Sequence, residues 1–113
     1  MDVDEIWELE CRFWLEGAQV YEAHLHEDAH MIFPAMGILD RTAILNGLRE
    51  FPRWTHVDMC NRQAFGAGNT VCVAYIAIAR RGEAQPYRCF CGSTYVRAGN
   101  GPIMVAHQQT LMD

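Results

Sequence analysis

The sequence predicts an α+β domain in which helices come first and an antiparallel sheet follows. Apolar residues recur at helical spacing from Val3 to Leu15, which indicates an amphipathic helix. After Pro52, strand-like segments follow one another, divided by the turn-forming stretches GAGN, RRGEA and AGNG. Helices gathered ahead of a run of strands are typical of the α+β class.

The helical part is predicted to contain three helices. The first covers Val3–Leu15, and Gly17 separates it from a second helix at about Ala18–Glu27. The stretch MIFPAMGIL then predicts a short strand, a break at proline, a glycine turn and a further extended piece. Asp40 is a good N-cap for a third helix, RTAILNGLRE, which the Phe51-Pro52 pair ends.

The sheet is predicted to be a meander of four strands, at about 54–65, 70–80, 86–97 and 103–111, with Asn100-Gly101 as a hairpin signal. In strand 70–80 both faces are apolar, so both should be covered. The helices can cover one face, and a second copy of the chain is the simplest cover for the other. We therefore expect a homodimer through the outer sheet face.

Size and charge exclude several classes of protein. The 113 residues suit one domain, 1–113, and the formal net charge is −5 with nine scattered Lys and Arg residues, so we expect no nucleic-acid partner. No apolar segment is long enough to span a bilayer, so we expect no membrane partner. The acidic start MDVDEIWELE argues against a signal peptide and favours a cytoplasmic location.

The cysteines and the histidine-rich stretch HLHEDAH could suggest a metal site. The five cysteines contain no C-x-x-C pair and are expected to be reduced, with Cys89 and Cys91 as small buried residues. On a helix, His24 and His26 would point about 200° apart. His30 is four residues after His26, but the helix should have ended before it. We therefore expect a solvated helix end, no metal and no cofactor.

His107 is the most distinctive polar residue of the last strand. Gln109 shares its face, and Gln108 takes the other. The pair could line a pocket and orient a ligand, or it could form a network that only satisfies buried groups or crosses a dimer interface. Both interpretations stay open.

Two further sets of residues could carry chemistry. Asp58 shares a strand face with Trp54 and His56, and could be a general base if that face turns inward, or a rim residue if it does not. The second set lies on one face of the third long strand and offers hydroxyls and thiols, either as a pocket wall or as core filling: Tyr87, Cys89, Cys91, Ser93 and Tyr95.

Several short motifs resemble small SnoaL-like proteins of the nuclear transport factor 2-like superfamily. They are FW at 13–14, MIFP with GILDR between 31 and 41, YRCFCGSTYVR at 87–97 and HQQT at 107–110. The superfamily includes ketosteroid isomerase, scytalone dehydratase and SnoaL polyketide cyclases. The resemblance implies a curved sheet wrapped on a helix as a cone, an apolar pocket at its open end, and dimers through the outer sheet face.

On this resemblance, the residues expected to line the pocket are Trp14, Phe33, Trp54, Tyr75, Cys91, Tyr95, His107 and Gln109. Three functions are open. The first is cofactor-independent proton transfer on a small apolar molecule, with Asp58 or His107 as base and Tyr75 or Tyr95 as hydrogen-bond donor. The second is ligand binding without turnover, and the third is a dimerisation or interaction module. A pocket where an acid or histidine faces a tyrosine would favour the first, an apolar pocket the second, and a filled cone the third.

Overall fold

The computed structural model describes residues 2–99 and 101–112 and confirms the predicted α+β class. The helices are α1 (Val3–Leu15), α2 (Ala18–His24) and α3 (Arg41–Glu50), and the strands are β1 (Leu25–Phe33), β2 (Gly37–Asp40), β3 (His56–Ala67), β4 (Thr70–Arg80), β5 (Tyr87–Ala98) and β6 (Gly101–Leu111). The predicted residue pair Asn100-Gly101 falls between β5 and β6, but Asn100 lies outside the described residues.

The sheet is mixed rather than wholly antiparallel. Its strand order is β2-β1-β6-β5-β4-β3, and β1 runs parallel to β6, with Met31 opposite His107. The predicted second helix also ends earlier, at His24, because the chain enters β1 at Leu25. In β1 the residues Leu25, Ala29 and Met31 are buried. This strand therefore joins the helical half of the chain to the last strand of the meander.

The ends of two helices are fixed by the side chains that the sequence offers there. The carboxylate of Asp2 accepts a hydrogen bond from the Asp4 N–H at 2.9 Å at the start of α1. The carboxylate of Asp40 does the same for the Ala43 N–H at 2.9 Å, which confirms the predicted N-cap of α3. Each contact satisfies an N–H group that has no partner within its helix.

Helix α1 lies against the inner face of the sheet. The ring of Trp7 meets the ring of Tyr75 edge-on, at 5.6 Å between centroids. Strand β4 alternates as expected, with every second residue from Val71 to Ala79 buried. A bulge in β3 between Cys60 and Gln63 interrupts the register, and such bulges bend a strand. The described helices include none with the length and apolarity needed to cross a bilayer.

Candidate functional site

A cavity of about 630 Å³ opens between α1, α3 and the inner face of the sheet. Of the residues predicted to line a pocket, the structure places these in the cavity wall: Trp14, Phe33, Trp54, His107 and Gln109. Three others, Tyr75, Cys91 and Tyr95, are buried behind the wall. Five of the eight predicted residues thus line this cavity, and the other three do not.

One side of the cavity is a shelf of aromatic rings. The indole of Trp54 stacks on the ring of Tyr87, with 5.3 Å between centroids and 17° between planes. Trp14 meets Trp54 edge-on at 5.9 Å and His107 at 6.5 Å. Such a shelf gives an apolar molecule a large, rigid contact surface.

The innermost part of the site is a buried carboxylate surrounded by hydroxyl groups. Glu10 of α1 is fully buried and accepts hydrogen bonds from the Tyr75 hydroxyl at 2.5 Å, the Ser93 hydroxyl at 2.7 Å and the Tyr95 hydroxyl. With His107, these residues form what we call the Glu10 cluster. The Trp14 indole N–H in turn donates to the Tyr75 hydroxyl at 2.8 Å. Three hydroxyl donors around one acid suit an ionised carboxylate, which only accepts hydrogen bonds.

A chain of hydrogen bonds connects the Glu10 cluster to the cavity. The Ser93 Oγ lies 2.6 Å from His107 Nδ1, and His107 Nε2 lies 3.0 Å from the Gln109 amide nitrogen. The Tyr87 hydroxyl donates to the Gln109 carbonyl oxygen at 2.8 Å. Because the Gln109 amide donates to Nε2, the ring proton of His107 lies on Nδ1 and is donated to Ser93. Every bond of the chain then points from the cavity toward Glu10.

The pKa shifts of His107, Tyr75 and Tyr95 are consistent with these hydrogen-bond directions. Burial lowers the pKa of His107, and the charge of Glu10 opposes this without overcoming it, so the ring is neutral at pH 7. Burial, followed by the Glu10 charge, raises the pKa of both Tyr75 and Tyr95, so both phenols remain protonated. The acidic neighbour of His107 is therefore Glu10, at 3.6 Å from Nδ1, and not Asp58.

Asp58 lies outside the site, contrary to the interpretation of it as a base. Its carboxylate is exposed and lies 3.1 Å from the Nε2 atom of the exposed His56. The alternation that placed Asp58 on one face with Trp54 does not hold, because β3 begins only at His56. Trp54 precedes the strand and turns into the cavity, whereas Asp58 faces solvent.

The histidines of HLHEDAH are spread over two elements. His24 ends α2, and its Nδ1 lies 3.4 Å from the Pro102 carbonyl oxygen. His26 and His30 belong to β1, where the His26 ring accepts a hydrogen bond from the Asp28 N–H at 3.0 Å. Within residues 2–99 and 101–112, no three His, Cys, Asp or Glu side chains come together in a group that could hold a metal ion.

The sequence analysis missed Glu10, and a signal for it exists. Glu10 follows Ile6 by four residues and precedes Phe13 and Trp14 by three and four, so it lies within the apolar stripe of α1. Arg53 and Arg81, which also line the cavity, were missed as well. Their positions next to Trp54 and at the end of β4 carry no comparable pattern.

The comparisons with known proteins agree on the fold. No protein-family model and no curated protein matches the chain. Among solved structures, an NTF2-like protein of unknown function in nutrient uptake from Rhodospirillum rubrum is similar, with a TM-score of 0.86 and 17% identity over 100% of both chains.

Two other structures are similar at comparable identity. The “putative ketosteroid isomerase” of Parabacteroides distasonis has a TM-score of 0.81 at 12% identity, over 96% of this chain and 86% of its own. The association domain of C. elegans CaMKII has a TM-score of 0.76 at 17% identity, over 96% and 91%. The chain thus has the NTF2-like fold, as its motifs predicted.

Proposed function

We propose that the chain binds a small, largely apolar molecule in the cavity, with the His107–Gln109 pair as its polar contact. The observation that carries this proposal is the open cavity itself. Its volume of about 630 Å³ falls within the usual range of roughly 300–1,000 Å³ for small-molecule sites. A mostly aromatic and aliphatic wall with a few convergent polar groups is the usual composition of such sites.

A molecule that enters the cavity meets polar groups that are already positioned. The His107 ring is only 7% exposed, and its orientation is fixed by Ser93 on one side and Gln109 on the other. Groups held in this way lose little freedom when a ligand binds. An interaction module with a filled cone would lack this space, so ligand binding accounts for the cavity better.

A second candidate function is cofactor-independent proton transfer, as in isomerases, dehydratases and cyclases. It is supported by the chain of hydrogen bonds from His107 through Ser93 to Glu10, since a proton taken up at Nε2 would be stabilised by a buried negative charge. The Gln109 amide must first move away from Nε2. Of the three tyrosines in the sheet, only Tyr87 lines the cavity, and its hydroxyl would have to leave the Gln109 carbonyl oxygen to donate to a ligand.

Filling the cavity tests the proposal directly. Gly47 of α3 lines the cavity, and a Cβ atom built on it meets no atom within 4 Å. The substitution Gly47→Trp should therefore abolish binding of a neutral fluorescent probe such as N-phenyl-1-naphthylamine, while Gly47→Ala, the matched control, should keep it. Equal binding by both variants and the wild type, or no binding by the wild type, would contradict the proposal.

His107→Ala tests the polar contact. We expect a folded protein whose ligand binding is weaker by roughly 1–3 kcal/mol, the usual cost of removing a buried hydrogen-bond partner. Titration with the same probe, beside circular dichroism, separates binding from folding. If the variant unfolds, the His107 ring is needed to stabilise the fold, and its role as a ligand contact is contradicted. Activity in an isomerase or dehydratase assay that disappears with His107→Ala would support the second candidate.

We further propose that the chain is a homodimer through the outer sheet face. This face carries apolar side chains open to solvent, among them Phe65 at 69% and Phe90 at 51% exposure. Exposed apolar surface of this kind commonly marks a protein–protein interface. Light scattering at micromolar concentration should give about twice the 12.9 kDa chain mass, and a clean monomer would contradict the proposal.

A further inference from the structure

Two arginines line the cavity beside the aromatic shelf, and hydrogen bonds to backbone carbonyl groups hold one of them in the fold. The Arg53 guanidinium donates to the carbonyl oxygens of Glu16 at 2.8 Å, Phe13 at 2.6 Å and Trp14 at 2.7 Å. These are carbonyls at the C-terminal end of α1, where a positive charge is favourable. Arg53 is therefore a fixed cation in the cavity wall.

The second arginine keeps hydrogen-bond donors unused. The Cζ atom of Arg81 lies 3.7 Å from the centroid of the Trp54 ring, and its Nε donates to the Pro52 carbonyl oxygen at 2.9 Å. Among the described residues, its two terminal nitrogens have no hydrogen-bond partner. Stacking on the indole and the bond to Pro52 hold the guanidinium in place while leaving one edge of it available.

No carboxylate of the described chain neutralises these two charges. Among residues 2–99 and 101–112, neither arginine has a carboxylate oxygen within 4.0 Å, and the nearby Glu16 is paired with Arg12 at 3.1 Å. Glu50 lines the same cavity without reaching either guanidinium. Burial and then the charge of Arg53 lower the pKa of Arg81, which shows that the two cations repel one another.

We propose that the molecule bound in the cavity carries a carboxylate and that Arg81 pairs with it. This inference rests on the proposed ligand-binding function and names its ligand class, an aromatic or alicyclic monocarboxylic acid. The ring system of the acid would lie along the Trp54–Tyr87 shelf, and its far end would approach His107 and Gln109.

A carboxylate fits this position better than a phosphate. The two terminal nitrogens of one guanidinium match the two oxygens of a planar carboxylate. A phosphate dianion would bring more charge into a cavity whose wall already contains Glu10 and Glu50, in a chain of net charge −5. The remaining wall is mostly apolar and offers few further donors to a phosphate.

A matched pair of probes tests the inference. We would measure, by calorimetry at low salt, the binding of 2-naphthoate and of 2-naphthamide, which have the same ring system and differ in charge. The wild type should bind the acid about tenfold more tightly than the amide, since charge-assisted hydrogen bonds are roughly twice as strong as neutral ones. Added salt should reduce this preference.

Two variants assign the preference to Arg81. Arg81→Gln should abolish the preference, so that the acid and the amide bind about equally, and measurable binding of both would show that the cavity is intact. Arg80→Gln is the matched control, because the exposed Arg80 precedes it in the chain and does not line the cavity. That variant should keep the preference. If Arg81→Gln fails to fold, the inference is judged on the wild type alone: a preference for the acid that weakens with added salt supports it, and equal binding of both probes overturns it.

The outcomes separate this inference from the proposed function. If the wild type binds both probes equally, or if the preference survives in Arg81→Gln, the carboxylate inference is overturned while ligand binding stands. If the amide and the acid both fail to bind, the inference and the proposed function fall together. A preference for the acid that disappears only in Arg81→Gln supports the inference.

Discussion

The two faces of strand β4 are similar in composition and opposite in environment. On the inner face Tyr75 and Ala77 are buried under α1, and the Tyr75 hydroxyl reaches Glu10. On the outer face Ala74 is exposed, and Ile76 and Ile78 are only partly covered. Both faces of the strand are apolar, which makes both suitable for burial. Only the inner face, however, is fully covered by other parts of the same chain.

The two faces of the sheet also differ in their buried polar groups, which belong to the inner face. The inner face contains the Glu10 cluster, in which every donor has found an acceptor, and no described buried side-chain nitrogen or oxygen is left without a partner. On the less completely covered outer face, Phe90 of β5 lies directly opposite Ile76 of β4. The inner face is thus covered within the chain, whereas the outer face leaves large apolar side chains exposed.

The largest effect should come from a charge placed on the inner face. Ala77 has no exposed surface, so Ala77→Lys would bury an unpaired ammonium group and should destabilise the fold by more than about 4 kcal/mol. Ala74→Lys, three residues away on the outer face, is the matched control. Urea denaturation of both variants checks this expectation, and equal loss of stability would show that the two faces are equally covered within the chain.

The next largest effect concerns the Glu10 cluster. Glu10→Ala leaves the hydroxyls of Tyr75, Ser93 and Tyr95 without their acceptor and should lower the free energy of unfolding by about 3–5 kcal/mol. Glu10→Gln keeps the shape and one acceptor oxygen and should cost less. Chemical denaturation of the two variants measures the difference. A Glu10→Ala variant as stable as the wild type would mean that the cluster does not stabilise the fold.

A charge on the outer face should act on association instead of folding. Phe90→Lys should weaken the proposed homodimer by about 2 kcal/mol or more, because it removes a large apolar contact and places like charges across a symmetric interface. Light scattering over a dilution series gives the dissociation constant, and near-ultraviolet circular dichroism reports the fold. An unchanged dimer would place the interface elsewhere.

The smallest effect is a pH dependence from His107. Its folded pKa is lowered, so below its unfolded value near 6.5 the unfolded chain binds a proton that the folded chain does not. Stability should therefore be complete above pH 6.5 and fall as the pH drops toward the folded pKa, by at most about 1.4 kcal/mol per pH unit. In His107→Gln this component of the slope should disappear, as denaturation at several pH values would show.

The sequence predicted the secondary-structure elements, and which residues share a face of a strand, better than it predicted which strands pair. The N-cap at Asp40, strand 70–80 and the shared face of His107 and Gln109 all follow from local patterns, and the structure agrees with each. The parallel pairing of β1 with β6 was not predicted, because pairing between strands so distant in the chain leaves no local pattern.

The candidate site was harder to predict because its central residue breaks the usual rule for charged side chains. A glutamate on a helix is normally a solvated residue, and only its position within the apolar stripe of α1 indicates otherwise. Its three hydroxyl donors come from β4 and β5, which follow it by 65 to 85 positions. For Asp58 the alternation was extended from Trp54 across the start of β3, but the strand begins only at His56, so the two side chains do not share a face.

The position of β1 beside β6 has a consequence for how the chain folds. The first two strands reach the rest of the sheet only through β6, the last element of the chain. During synthesis, Met31 must wait for His107 to leave the ribosome before it can pair, and Glu10 must wait for Tyr95. Contacts of such high sequence separation slow folding. We therefore expect the sheet to close only after β6 has been synthesised, with the helices lacking their partner strands until then.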